Sequence, residues 1–175
     1  MNPFTTIDPP GIVSYFTPTH QSDLTNVWSG VSLMEQQIES AFQGAQRELG
    51  RYEQYQDRWD GYFAEPFAAE VLHDAANILY FSEKFLLKTG LVPTLVTTGP
   101  ASDGSVDVEL QVGDRRLLIT LYPKDDTLRV ATFHGKEASE QLAPLGTDAV
   151  ATWLSWLSRS GAVPSGVAPH QHHSR

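Results

Sequence analysis

Seven residues in the second half of the chain, Val106–Val112, alternate strictly between apolar and polar side chains. The next two residues, Gly113 and Asp114, are a glycine-first pair typical of a two-residue hairpin loop. With that loop, Val106 pairs with Leu121, and the apolar residues of both segments share one face. A slip of one residue would turn that apolar set toward solvent, so the pattern defines the register. The sequence therefore predicts an antiparallel hairpin with one buried face.

Two neighbouring segments extend this hairpin into a larger sheet. Residues 94–98 form a short β-prone run that precedes it. After it, a turn through residues 123–126 would set Leu121 opposite Leu128 and Ile119 opposite Val130. The sequence thus predicts an antiparallel meander of three to four strands.

Before Gly90 the apolar residues recur at spacings of three and four, which is typical of helices. Ser32 and Glu35 form a capping box, so we predict that the first helix begins at Ser32 and ends near Gln56. A second helix follows Pro66 and ends at Gly90. The two helices are predicted to form an αα-hairpin.

A last helix is predicted over residues 147–160, with Trp156 just outside its apolar stripe. The predicted fold class is therefore α+β: an αα-hairpin, a three- to four-stranded antiparallel meander and a C-terminal helix. We predict a Pro-rich N-terminal arm over residues 1–30, a single domain over residues 31–161 and a flexible tail over residues 162–175. Within the arm, the β-prone run Ile12–Thr17 is consistent with an edge strand or with a loosely ordered leader.

Composition excludes several classes of function. The chain of 175 residues has no cysteine, which rules out disulfides, cysteine-ligated zinc and cysteine nucleophiles. Its 21 acidic and 12 basic residues give a net charge of −9, which disfavours direct nucleic-acid binding. No apolar run approaches the ~20 residues of a membrane span, and no signal peptide is visible. We predict a cytoplasmic protein that does not insert into membranes.

Catalytic and metal-binding signals are weak. No nucleotide-binding, zinc-hydrolase or serine-hydrolase motif is present, and we predict no enzyme activity, no cofactor and no metal. The histidines of the C-terminal tail, His170, His172 and His173, lack the surroundings that fix metal ligands. Asp107 and Glu109 lie on one strand face about 7 Å apart, so a hydrolase using strand or turn carboxylates remains an alternative.

The most distinctive segment is Trp59–Pro66, which combines tryptophan, aspartate, glycine and tyrosine in four consecutive residues. One interpretation is a surface platform, with aromatic rings for contact and with Asp60 and Glu65 as acceptors. The other interpretation is a structural staple, in which Trp59 fills the gap between helices and sheet. A pocket near Trp59 that binds a small molecule is a further alternative.

Two surfaces are candidates for binding another macromolecule. An acidic protein surface would attract a basic partner through long-range electrostatic steering. A set of aromatic residues, expected to be exposed, could form a contact patch or a homodimer seam; it comprises Tyr52, Tyr55, Trp59, Tyr62, Phe63 and Trp156. The predicted partner-binding residues are Tyr52, Tyr55, Trp59, Asp60, Tyr62, Phe63, Glu65, Asp107 and Glu109.

The segment Trp59-Asp60-Gly61-Tyr62, followed by Ala64 and Pro66, resembles the W-D-G-Y-G-A-x-P signature of a group of small bacterial proteins of unassigned function. Residues 100–110 are similar to a second segment of that group, and the resemblance covers about residues 57–135. Phe63 and Leu110 depart from the signature, where the group has glycine and tryptophan. Such proteins often lie near toxin-like or mobile-element genes, so the resemblance implies an antitoxin-like accessory role without catalytic residues.

Together these observations predict a non-enzymatic binding protein that acts by occlusion. An antitoxin, an immunity protein or a phage anti-defence inhibitor would fit this description. The expected partner is a basic protein. The expected contact joins acidic side chains at the rim with an aromatic anchor.

Overall fold

The computed structural model describes residues 21–123 and 127–159. Within them, two helices precede a five-stranded antiparallel sheet and a third helix follows it, which confirms the predicted α+β class. The elements are α1 (Gln21–Tyr52), α2 (Ala69–Thr89), β1 (Leu95–Pro100), β2 (Val106–Val112), β3 (Arg115–Leu121), β4 (Thr127–His134), β5 (Glu137–Pro144) and α3 (Thr147–Ser158).

The sheet is a meander whose strands neighbour each other in sequence order. β2 and β3 pair in the predicted register, with Val106 opposite Leu121. β3 and β4 also pair as predicted, with Leu121 opposite Leu128 and Ile119 opposite Val130. The alternation of apolar residues therefore identified the central three strands and their alignment correctly.

The prediction of three to four strands was too low, because β5 has no apolar alternation. Its sequence, Glu-Ala-Ser-Glu-Gln-Leu-Ala-Pro, is poor in β-branched and aromatic residues, and most of its side chains are exposed. The chain turns back through Gly135 and Lys136, which sets His134 opposite Glu137. Pairing with β4 by backbone hydrogen bonds defines this edge strand, and side-chain burial contributes little.

The first helix is longer at its start than predicted. It begins at Gln21, inside the segment assigned to the N-terminal arm, and ends at Tyr52. The pattern at Ser32 and Glu35 lies within the helix, since a capping box is a local sequence pattern that a helix interior can also contain. The run Ile12–Thr17 and the tail from residue 162 lie outside the described residues.

The helices cover one face of the sheet. α1 packs on β1, α2 on β2 and α3 on β3, while α1 and α2 pack against each other. Gly90, at the end of α2, lies beside Met34 in α1, so the two helices are antiparallel as predicted. None of the described helices has the length and apolar content needed to cross a membrane.

The burial of Trp156 shows that the apolar face of α3 is wider than predicted. Trp156 is 1% exposed and belongs to the core, although the periodicity placed it beside the apolar stripe. The reason is that α3 contacts both α2 and the sheet. A helix between two neighbours buries a wider face than a stripe that meets one.

Candidate functional site

Four aromatic rings meet where α1 ends and the chain crosses to α2. We call them the aromatic cluster: Tyr52, Tyr55, Trp59 and Phe67. Tyr55 and Trp59 are stacked with ring centroids 4.9 Å apart. Phe67 lies 5.4 Å from Tyr52 and 5.8 Å from Trp59, centroid to centroid. Because aromatic pairs at these separations attract one another, the cluster ties the end of α1 to the start of α2.

Tyr52 is the buried base of the cluster. It is 1% exposed, and its hydroxyl donates to the backbone carbonyl of Thr98 in β1 at 2.9 Å. Burial raises the pKa of the Tyr52 phenol above its ordinary value. Tyr52 therefore joins α1 to the sheet, and its predicted place on an exposed contact patch is wrong.

Residues 57–66, the corner loop, are held in one conformation by internal hydrogen bonds. Asp60 Oδ1 accepts from the backbone N–H groups of Tyr62 at 2.8 Å and Ala64 at 3.2 Å. The backbone N–H of Arg58 donates to the Ala64 carbonyl at 2.7 Å, although Arg58 itself has a φ of +61°. A non-glycine residue in that region costs about 1 kcal/mol or more, which the surrounding bonds offset.

Trp59 links the corner loop to the cluster. It is half-buried, and its indole Nε1 donates to the Glu65 carbonyl at 3.1 Å. With one side of its ring against Tyr55, it has the contacts of a structural staple. These contacts lie between the end of α1 and the start of α2, so Trp59 resembles the predicted staple on the side of the helices.

Two consecutive residues within the corner loop, Tyr62 and Phe63, which we call the tip, point away from this scaffold. Tyr62 is 74% exposed and Phe63 is 85% exposed, the two highest values among the exposed large apolar side chains of residues 33–123 and 127–159. The backbone N–H groups of Tyr62 and Ala64 are held by hydrogen bonds to Asp60 Oδ1. The loop thus presents two aromatic side chains to solvent on a constrained backbone.

The turn between β1 and β2 supports the corner loop from the other side. The backbone N–H of Glu65 donates to the Ser102 carbonyl at 2.9 Å. Gly104 in the same turn has a φ of +78°, and a Cβ there would lie 3.3 Å from the Pro66 carbonyl oxygen. The sheet and the loop therefore approach each other closely enough that an added Cβ would crowd the Pro66 carbonyl.

Asp103 stabilises this turn through its carboxylate. Oδ1 accepts from the Ser105 hydroxyl at 2.6 Å and from the Ser105 backbone N–H at 3.0 Å. The hydroxyl contact is the main reason that the pKa of Asp103 lies below its ordinary value of 3.8. The folded state binds protons less readily here than the unfolded state. The contribution to stability is therefore present above pH 3.8 and is lost as the pH falls through the lowered pKa.

We expect Ser105→Ala to lower the free energy of unfolding at neutral pH by about 0.5–1 kcal/mol, a small value because solvent screens the exposed Asp103. Well below pH 3.8 that difference should shrink toward zero, since both proteins then carry a protonated Asp103. Urea titrations at the two pH values measure it, with Ser102→Ala, an exposed serine of the same turn, as the control. An equal loss at both pH values would contradict the role given to Asp103.

The predicted carboxylates Asp107 and Glu109 lie elsewhere. Both are on the sheet face opposite the helices, whereas Tyr52 reaches the sheet from the helix side. Asp107 Oδ1 accepts from the Thr120 hydroxyl at 2.6 Å, and Glu109 lies 3.3 Å from Arg116. Both carboxylates are thus engaged by side chains of the neighbouring strand β3. Because they lie on the sheet face opposite the helices, they do not form one surface with the aromatic cluster.

The segment that carries the tip is acidic. Residues 53–66 contain four acidic side chains, Glu53, Asp57, Asp60 and Glu65, and one basic side chain, Arg58. Glu65 is exposed, and Asp60 is exposed but directs Oδ1 into the loop. Among the described residues, no three His, Asp or Glu side chains converge as metal ligands would.

Two contributors were not among the predicted site residues. Phe67 completes the aromatic cluster, and its position directly after Pro66 gave no periodic signal. Gly104 adjoins Pro66 although the two are far apart in sequence. Both matter through tertiary contacts that no local pattern reveals.

Comparison with family models, curated proteins and solved structures gives no match for this chain. The resemblance of the Trp59–Pro66 segment to small bacterial proteins therefore stays a prediction.

Proposed function

We propose that this chain is a non-enzymatic binding protein that docks on a basic protein partner through the tip. The observation that carries the proposal is the pairing of high exposure with a constrained backbone at Tyr62 and Phe63. Docking there would cover part of the partner's surface. The proposed mode of action is therefore occlusion.

Exposed aromatic rings are unfavourable in water. Large aromatic side chains in water lose the burial energy that they would gain in a core. At interfaces they are favoured anchors, because they bury a large area and have few rotatable bonds. A loop already fixed by Asp60 and Trp59 adds little ordering cost on binding.

Charge supports a basic partner. The net charge of −9 attracts cationic surfaces at long range, and the acidic residues around the tip extend that attraction to the contact itself. Electrostatic complementarity of this kind raises the association rate and selects among partners. We assign Glu65 to the rim of the contact, because its side chain is exposed next to the tip.

We extend the proposal to the antitoxin, immunity or phage anti-defence type on the resemblance of the corner loop. On this proposal the acidic chain covers the functional surface of a basic toxin or nuclease. The cytoplasmic location belongs to the same proposal. The hydrolase alternative has less support, because hydrogen-bonded and ion-paired neighbours engage Asp107 and Glu109.

The test compares two exposed aromatic pairs. Tyr62→Ala/Phe63→Ala removes the tip, and Tyr80→Ala/Phe81→Ala removes a pair on α2 that is 53% and 44% exposed. A partner recovered in stoichiometric amount from a native host lysate is titrated against each variant. We expect the tip variant to bind at least ~30-fold more weakly, about 2 kcal/mol, with little change in melting temperature. The α2 variant should bind like the parent chain.

Three results would contradict the proposal. The first is equal affinity of the tip variant and the parent chain. The second is a homodimer, seen by light scattering, that the tip variant disrupts, because a second copy would then occupy the tip. The third is recovery of no protein partner together with a thermal shift caused by a metabolite.

A further inference from the structure

The outer edge of β5 is a part of the sheet with which no described residue pairs. β5 is the last strand of the meander and bonds to β4 on one side only. The three helices pack on β1, β2 and β3, away from this edge. An unpaired strand edge presents backbone N–H and C=O groups to which another strand can bond.

β5 lacks most of the features that protect edge strands from such pairing, namely a short length, a bulge, a lysine or a central proline. It has eight residues, matches β4 one to one, and contains no lysine. Its proline, Pro144, is its last residue. Glu140, one of its two glutamates, pairs with Arg129 at 3.1 Å, which offsets its charge. Leu142 in the same strand is 65% exposed, so the edge also presents an apolar side chain.

The hairpin between β4 and β5 shows which backbone groups of β5 point outward. Its loop has two residues, Gly135 and Lys136, so the next residue, Glu137, forms a hydrogen-bonded pair with β4. Because such pairs alternate along antiparallel strands, every second residue from there bonds to β4 and the residues between them bond outward. The residues whose N–H and C=O groups face the open edge are Ala138, Glu140 and Leu142.

We propose that this edge binds a second copy of the chain, with the two β5 strands antiparallel about a two-fold axis at Gln141. In this register Glu140 of each copy lies opposite Leu142 of the other, and both residues have outward backbone groups. Ala138 lies opposite Pro144, whose carbonyl accepts although it has no N–H to donate. About six backbone hydrogen bonds then join the copies into one continuous ten-stranded sheet.

Charge and side-chain direction favour this register over its neighbours. A shift of one residue would place side chains of the two copies on opposite faces. A shift of two residues sets Glu140 opposite Glu140, a like-charge pair, or opposite Pro144, which loses a donor. The proposed register avoids both, and it makes the two Leu142 side chains diagonal neighbours that shield each other from water.

The tip takes no part in this contact. The corner loop adjoins the β1–β2 turn, and β2 lies three strands from β5, a distance of about 14 Å. The dimer would therefore leave both tips exposed. The inference does not depend on what the tip binds.

Sedimentation equilibrium of the full chain at about 10–500 µM measures self-association, in ~0.15 M salt so that repulsion between two acidic copies is screened. We expect a monomer–dimer equilibrium with a dissociation constant of about 10–100 µM, a weak association suited to a small interface. Leu142→Glu should weaken it at least ~10-fold with little change in melting temperature, because like charges then face each other twice.

Two further variants serve as controls. Leu142→Lys should dimerise at least as well as the parent chain, because the lysine would lie opposite Glu140 of the second copy. Leu33→Glu makes the same change at a leucine of α1 that is 60% exposed, and it should also dimerise like the parent chain. Equal weakening by the glutamate and lysine variants at Leu142 would contradict the proposed register.

Amide hydrogen exchange locates the contact on the strand. The N–H groups of Glu140 and Leu142 should exchange quickly in dilute solution and slowly at high protein concentration. Those of Ser139 and Gln141 bond to β4 and should be protected at both concentrations. A dimer that leaves the exchange of Glu140 and Leu142 unchanged would overturn the proposal.

Three other results would also overturn it. One is a chain that stays monomeric at every concentration, and another is equal self-association of Leu142→Glu and the parent chain. Loss of the dimer in the tip variant would assign the contact to the tip. If Glu140 and Leu142 became protected only when another protein binds, the edge would belong to that partner.

Discussion

Tyr52→Ala is expected to lower the free energy of unfolding by about 3–5 kcal/mol, the range for removing a buried aromatic side chain. The side chain is 1% exposed and contacts Tyr55 and Phe67 through its ring. Its loss leaves a cavity between α1 and β1 and removes the donor to the Thr98 carbonyl. Chemical denaturation monitored by circular dichroism measures the change.

Tyr52→Phe separates the ring from the hydroxyl. It keeps the ring contacts and removes only the hydrogen bond, so we expect a loss of about 1–1.5 kcal/mol. If the alanine variant lost no more than the phenylalanine variant, the aromatic cluster would not be holding α1 to the sheet. Tip-dependent partner binding should fall with the alanine variant, because Tyr52 supports Tyr55 and through it Trp59.

Gly104→Val is expected to lower the free energy of unfolding by about 3 kcal/mol or more, from two causes. The first is backbone strain, since a β-branched residue strongly disfavours a φ of +78°. The second is steric: a Cβ would already lie 3.3 Å from the Pro66 carbonyl oxygen and 3.8 Å from Pro123 Cγ. Thermal and urea denaturation measure the effect.

Gly113→Val is the matched control. Gly113 also has a positive φ, of +60°, but an added Cβ there meets nothing within 4 Å. It should show only the strain component, about 1–2 kcal/mol. Equal losses in the two variants would mean that the turn and the corner loop do not press on each other at Gly104.

Tyr52→Ala and Gly104→Val both test how the corner loop is held in place. Tyr52 fixes the corner loop through the aromatic cluster, and Gly104 allows the β1–β2 turn to support it. The corner loop that carries the tip contacts the aromatic cluster through Trp59 and the β1–β2 turn through Glu65. If either support is lost, the tip becomes free to adopt more conformations, and binding then requires an additional ordering cost.

Much of the fold was readable in the sequence because local periodicity and tertiary packing agree there. The alternation in Val106–Val112 and the Gly113–Asp114 loop together defined the central register. Gly90 marked the end of α2 correctly. In each case the residues whose pattern led to the prediction are also the residues that pair or end the element in the structure.

The errors came from elements whose position depends on neighbours. β5 is defined by pairing with β4, and Trp156 is buried because α2 and the sheet enclose α3 from two sides. The start of α1 was misplaced because a capping pattern at Ser32 lies inside a continuous helix. The periodicity of an element's own sequence does not show which neighbouring elements it contacts.

For the candidate site, too, some features could be predicted from the sequence and others only from the tertiary structure. By itself, the sequence determined that Trp59–Pro66 is an unusual aromatic and acidic segment, because residue types and turn signals are local properties. Only the tertiary structure decided which rings are buried and which are exposed: Tyr52 and Trp59 pack inward, whereas Tyr62 and Phe63 face solvent. The physical reason is that burial depends on what lies opposite a side chain, and for Tyr52 that partner is Thr98 of β1, which is remote in the chain.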